Sequence, residues 1–146
     1  MKAIAFNINS SEKETLILVN HKKHEITFIA DELSPDTAGY SSGKEVLLVF
    51  PGDVVDTSVV SILKNSGIKY IASTTDCTDN IDRNAAGGHG FKISHVPTHV
   101  IEGLCGQELT KVRMEQVIKN LDLWGKGKCV GKACACLNSC AKKAVV

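Results

Sequence analysis

The stretch from Gly67 to Pro97, GIKYIASTTDCTDNIDRNAAGGHGFKISHVP, constrains the fold of this chain more than any other. An apolar run, Ile68 to Ala72, starts directly after a glycine and passes into a polar turn, Thr74-Thr75-Asp76-Cys77-Thr78. Asp79 is expected to cap a helix by accepting a bond from an orphan backbone N–H. That helix runs through Asn84-Ala85-Ala86 and breaks at Gly87-Gly88-His89-Gly90. Phe91 to Val96 reads as the next strand, closed by Pro97. Strand, turn, capped helix, glycine and strand make a βαβ unit, and such a crossover requires parallel strands.

The same alternation runs from the start of the chain. Ala3 to Ile8 is an apolar strand, and Ser11 and Glu14 stand at capping-box spacing ahead of a helix to about His21. Ile26 to Ala30 is a second strand, and Ser34-Pro35-Asp36-Thr37 begins a short helix with proline in its first turn. Glu45 to Phe50 is a near-continuous apolar run, the signature of a central strand covered on both faces. Val55 to Asn65 is an amphipathic helix ending at Ser66-Gly67. The resulting expectation is a doubly wound α/β domain of flavodoxin-like type with a five-stranded parallel sheet over 1–106. A long amphipathic helix over 107–124 and a basic, Cys-rich tail over 125–146 follow it.

A chain of 146 residues with ordinary apolar and charged fractions suits one domain with a real core. Five lysines and no acid follow Trp124, so a near-zero net charge hides a mildly acidic body and a basic tail. That balance gives no footprint for nucleic acid. No apolar run approaches a membrane span, and the N-terminus lacks the long apolar core of a signal peptide. A cytoplasmic setting is the expectation, in which six cysteines read as thiols or metal ligands rather than disulfides.

The opening stretch resembles the substrate ("catalytic") domain of D-isomer-specific 2-hydroxyacid dehydrogenases, the D-lactate dehydrogenase group especially. Gly67, Lys69, Tyr70, Ile71, Asp79, Asn80, Ile81, Asp82, Val96 and Pro97 match that family's pattern in register. Leu33-Ser34-Pro35-Asp36-Thr37 is similar to its L-T-P-E-T, Val49-Phe50 to its V-V-F, and Val59 to Gly67 to its V-L-x-x-L-x-x-x-G helix. The resemblance implies the same five-stranded parallel sheet. It also marks departures. Where the family continues V-P-x-Y-S-P, this chain has His99, Val100 and Ile101 at the tyrosine, serine and proline positions.

The resemblance further implies an NAD domain opening on G-x-G-x-x-G, whose glycines let backbone approach the cofactor pyrophosphate. The 146 residues contain no such motif. The family's catalytic arginine, acid and histidine lie in that domain, so none of them maps onto a position here. No NAD is expected to bind this chain alone. The family's L-R-x-x-G turn, whose amides hold the substrate carboxylate, becomes Ser73-Thr74-Thr75-Asp76-Cys77. Thr74 replaces the arginine, Cys77 the glycine, and Asp76 would repel a carboxylate.

The candidate substrate-side residues are therefore Thr74, Thr75, Asp76, Cys77 and His99. The plainer reading is that the threonines satisfy the turn's own backbone groups, and the residues favour it. His95 and His99 flank a strand end where open α/β sheets bind ligands. Cys77 paired with His99 would make a thiolate–imidazolium nucleophile; buried thiol and surface imidazole is the simpler reading.

The tail carries a separate chemistry. Cys129, Cys134, Cys136 and Cys140 place four thiols within twelve residues, spaced C-x4-C-x-C-x3-C. Clustered thiolates suit zinc, copper(I) or an iron–sulfur cluster. The spacing matches no standard zinc knuckle and falls one residue short of the plant-type ferredoxin start.

Three functions follow as expectations. The first is a dehydrogenase-like binding or regulatory module without hydride transfer. The second is one half of a split NAD-dependent oxidoreductase completed by a separate NAD-domain protein. The third is a thiolate metal-binding or redox protein. The apolar face of 107–124, with Met114, Ile118 and Leu121, needs a cover, either the α/β core or, slightly favoured, a second copy in a homodimer.

Overall fold

The computed structural model describes residues 1–137. Its core is a five-stranded sheet in the order β2-β1-β3-β4-β5, parallel throughout. The strands are β1 (Lys2–Phe6), β2 (Glu25–Ile29), β3 (Val46–Val49), β4 (Tyr70–Ser73) and β5 (Lys92–Ser94). Val46 to Val49 are buried on both faces, as the unbroken apolar run requires of a central strand. One apolar layer, with Ile4, Phe6, Leu47, Leu63, Ile71 and Ile93, lies under α2 (Thr57–Ser66) and α3 (Arg83–Gly88). The other, with Leu16, Leu48, Val96, Met114, Leu121 and Trp124, lies under α1 (Ser10–Asn20) and α5 (Gly106–Gly125). A single helical turn, α4 (Thr98–Ile101), links β5 to α5.

Helix starts differ from the sequence expectation in an instructive way. Asn9, not Ser11, caps α1: its side chain accepts the Glu12 N–H at 2.8 Å and donates to the Glu12 carboxylate. The cap thus pairs Asn9 with Glu12, two residues earlier than Ser11-x-x-Glu14. Asp82, not Asp79, caps α3, accepting the Ala85 N–H at 3.0 Å. That bond, with one from Thr57 Oγ1, holds the Asp82 carboxyl below its usual range. Asp79-Asn80 is instead a turn, closed by Ile81 N–H donating to Thr78 O, and Ile81 is bridged in parallel to Val55, with Val55 N–H donating to Asn80 O and Asp82 N–H to Val55 O. The segment after Ser34-Pro35 forms turns and a 3-10 helix, Ala38–Ser41, rather than an α-helix.

The long helix is covered within the chain. Met114, Val117, Ile118, Leu121 and Trp124 are all buried, α1 packs along α5, and Trp124 stacks on Tyr70 with ring centroids 4.7 Å apart. Polar ties reinforce this. Gln107 Nε2 donates to Thr15 Oγ1 at 2.9 Å, and Asp122 meets His24 Nε2 at 2.8 Å and Lys23 Nζ at 3.5 Å. The apolar face that argued for a homodimer through 107–124 is therefore spent on the α/β core, and that route to a dimer is withdrawn.

The tail supplies a sixth, antiparallel neighbour to the sheet. A 3-10 turn over Gly131–Ala133 leads into a bridge between Cys134 and Ser94. His95 N–H donates to Ala133 O and Ala135 N–H to Ile93 O, both at 2.8 Å. The Arg83 guanidinium donates to Ala135 O at 3.1 Å, fixing the segment from α3. The β5 edge, otherwise a row of unpaired backbone groups, is closed by this segment. Among the described residues no helix is long and apolar enough to cross a membrane.

Candidate functional site

In this strand order the chain runs outward from β1 to β2, then crosses back over β1 to β3, which places a switch point between the carboxyl ends of β1 and β3. Ligands of open α/β sheets bind in such a crevice. The turn after β3, Phe50-Pro51-Gly52-Asp53, stands at that point, and the turn after β4, residues 74–80, stands one strand further along.

The β4 turn folds onto itself. Thr74, at the position expected for an anion-binding arginine, is fully buried, and both its N–H and its Oγ1 donate to Val49 O at 2.9 Å. Thr75 N–H donates to Ser73 Oγ at 3.3 Å. Cys77 N–H donates to Thr75 Oγ1, which in turn donates to Cys77 O, each at 3.2 Å. Ser73 Oγ also reaches Cys77 O at 3.0 Å, and Cys77 Sγ accepts the Asp79 N–H at 3.4 Å. The amides of Thr74, Thr75 and Cys77 are thus consumed by neighbours in the chain. The threonines do what turn threonines ordinarily do, satisfy local backbone groups.

Asp76 sits outside that knot and faces β5 and α4. Its Oδ2 accepts from Thr98 Oγ1 at 3.3 Å, and its carbonyl oxygen lies 3.2 Å from His95 Nδ1. The structure therefore joins Asp76, His95 and Thr98. It does not join Cys77 to His99: the Cys77 thiol is engaged by Asp79, and no hydrogen bond or ion pair links it to that ring among the described residues. His99 is exposed and lines a shallow cavity of about 250 Å3 with Pro97, Gln116, Lys119, Val130 and Lys132, on the tail side of the domain. The nucleophilic pair is not assembled.

Two residues to which sequence reasoning gave no site role hold the turns after β3 and β4 in place. Asn80 Nδ2 donates to Asp53 O at 2.7 Å and to Phe50 O at 3.1 Å, tying the β4 turn to the β3 turn. Asp53 is only 5% exposed, and its Oδ2 accepts the Phe50 N–H at 2.9 Å. Burial pushes its carboxyl up to about 6, the Phe50 bond lowers it in part, and the nearby Glu32 charge raises it further. The Pro-Gly-Asp sequence announces a turn, but nothing in it announces a buried acid.

Cys134 and Cys136 do not converge. Cys134 packs against the layer beneath α1 and α5, whereas Cys136 packs against the layer beneath α2 and α3, its Sγ accepting the Ile93 N–H at 3.1 Å. The backbone that was to wrap a metal pairs with β5 instead. Among the described residues no group of three or more His, Cys, Asp or Glu side chains is placed to hold a metal ion. Zinc or an iron–sulfur cluster at Cys129, Cys134, Cys136 and Cys140 thus gains no support, and Cys140 lies outside the described residues.

Comparison with known proteins adds an independent line. Residues 4–134 match a family model described as the D-isomer specific 2-hydroxyacid dehydrogenase catalytic domain. The match runs past the expected boundary at residue 106 and takes in α5 and the start of the tail strand. A D-lactate dehydrogenase of Escherichia coli (strain K12) is 31% identical over 100 residues, covering 68% of this chain and 30% of that protein. An aromatic 2-oxoacid reductase of Clostridium sporogenes is 27% identical with the same coverage. The apo structure of the Escherichia coli D-lactate dehydrogenase superposes with a TM-score of 0.64 at 32% identity, covering 66% of this chain and 31% of that one. The chain thus spans about 30% of the length of the curated relatives it matches.

Proposed function

The chain belongs to the family of D-isomer specific 2-hydroxyacid dehydrogenases, through their catalytic domain, and on that premise we propose that these 146 residues act as a binding or regulatory module without hydride transfer of their own. The observation that carries this reading is the β4 turn. A carboxylate of a 2-oxoacid or 2-hydroxyacid needs amides or a cation directed at it. Here Thr74 is buried against β3, the amides of Thr75 and Cys77 are taken, and the carboxylate of Asp76 stands beside them. The absence of a G-x-G-x-x-G turn in the sequence removes the usual cradle for the cofactor pyrophosphate. What is retained is the five-stranded parallel sheet with its switch point, a scaffold on which many functions have been built.

Titrating the purified chain with NADH, followed by nucleotide fluorescence, tests the cofactor half of this proposal. No saturable change is expected, and no turnover of D-lactate with NAD. Micromolar binding would restore the enzyme reading. A second reading, in which a separate NAD-domain chain completes the module, is favoured by the 30% coverage of the relatives. It separates from the first when such a chain is added: turnover that appears only in the mixture supports the split enzyme.

A further inference from the structure

The two edges of the sheet are treated differently. The β5 edge is closed by residues 133–135, but β2 pairs only with β1, and Ile26 to Ile29 are just half-buried. We propose that the β2 edge is the docking surface for a second copy of this chain, which adds its own β2 antiparallel across a two-fold axis at Thr27.

The backbone polarity of the edge sets the register. Glu25 N–H donates to Met1 O at 3.0 Å and Ile29 O accepts from Asn7 N–H at 2.8 Å, so residues 25, 27 and 29 spend their backbone groups on β1. The groups of Ile26 and Phe28 point the other way. Two residues before Ile26 the edge is already closed, because the Asn20 side chain both accepts the His24 N–H and donates to His24 O. An antiparallel partner centred on Thr27 sets Ile26 opposite the second copy's Phe28, and Phe28 opposite its Ile26. Each is a hydrogen-bonded pair, with the two threonines facing as a non-bonded pair on the axis.

Charge chooses the same partner. The strand is preceded by Lys22-Lys23 and followed, after Ala30, by Asp31-Glu32, all four exposed. In the register centred on Thr27, the basic end of each copy meets the acidic end of the other. A self-complementary strand of this kind fits its own copy and no arbitrary edge. A groove of about 440 Å3 runs beside the strand, lined by Ile17, Ile26 and Phe28 with Lys22 and Lys23 at its rim. Ile17 is 51% exposed there, and a two-fold axis normal to the sheet brings α1 of both copies to the same face, where the pair would cover it. This proposal is independent of any enzymatic reading of the chain.

The test is sedimentation of the full chain over a wide concentration range, with amide hydrogen exchange read at Ile26 and Phe28. A reversible dimer is expected, in which those two amides gain protection as concentration rises. Lys22→Glu and Glu32→Lys should each weaken dimerisation about tenfold, since each turns two cross-axis attractions into repulsions. Mixing the two variants should restore a heterodimer of native strength. A monomeric mass at every concentration would overturn the proposal. So would a dimer that leaves Ile26 and Phe28 unprotected, or one indifferent to both substitutions. The exchange measurement uses the unaltered chain, so a variant that fails to fold does not spare the idea.

Discussion

Trp124→Ala is expected to lower the unfolding free energy by about 3–5 kcal/mol, the range for truncating a buried aromatic and leaving a cavity. Trp124 is 4% exposed, and its ring stacks on Tyr70 at 4.7 Å, which ties the last turn of α5 to the first residue of β4. The loss should be independent of protein concentration, because the cover for α5 is α1 and the sheet of the same chain. Glu108→Ala, in the exposed first turn of α5, should change stability by no more than about 0.5 kcal/mol. Urea denaturation at two protein concentrations checks both points. A Trp124→Ala loss that vanishes on dilution would mean that the helix is held by another copy.

The second large effect is a pH dependence centred on Asp53. Its folded carboxyl is raised from 3.8 to about 6, so the folded state holds the proton more tightly than the unfolded state does. The stabilisation this represents is complete below the unfolded value and is lost as pH rises from about 4 to about 6. A shift of that size corresponds to at most about 3 kcal/mol. Asp53→Asn keeps an oxygen to accept the Phe50 N–H and removes the buried charge. The variant and the native chain should therefore have similar stability near pH 4 and diverge above pH 6, with the variant the more stable. The difference between the two stability curves isolates this acid from other carboxyls such as Asp82, whose shift has the opposite sign. Parallel curves from pH 4 to pH 8 would show that Asp53 is not a strained acid.

Much of the fold can be read from local pattern because local pattern is what specifies it. The run Val46 to Val49 is apolar at every position since both faces of the sheet are covered there, and the glycine at Gly67 ends α2 with φ of 100°. Caps are less legible. Asn9 and Ser11, like Asp79 and Asp82, are all good capping residues, and the choice is made by tertiary pairing. The turn at Asp79-Asn80 and the bridge from Val55 to Ile81 delay α3 to Arg83. The fate of α5 is likewise non-local. Its apolar stripe is plain in the sequence, but whether α1 or another copy covers it depends on where α1 lies.

The site shows the same division. That the β4 turn would look after its own backbone follows from three threonines in five residues, and Ser73, Thr74 and Thr75 bear it out. The tail misleads, because four cysteines advertise metal chemistry while residues 133–135 pair with β5. Asp53 carries no signal by itself, and Asn80 shows only as part of the family pattern, with no role attached. Their roles arise only where the turns after β3 and β4 meet, 27 residues apart in sequence.

The central claim, that this family member keeps the scaffold without the carboxylate site, is tested most directly by adding pyruvate to the isotopically labelled chain and following the amide resonances of Thr74, Thr75, Asp76 and Cys77. With the amides of Thr74, Thr75 and Cys77 already bonded inside the chain and the Asp76 carboxylate alongside, these resonances are expected to show no saturable shift well into the millimolar range. A saturable shift centred on those four residues, at micromolar or low millimolar pyruvate, would contradict the account and return the turn to its role as a carboxylate cradle.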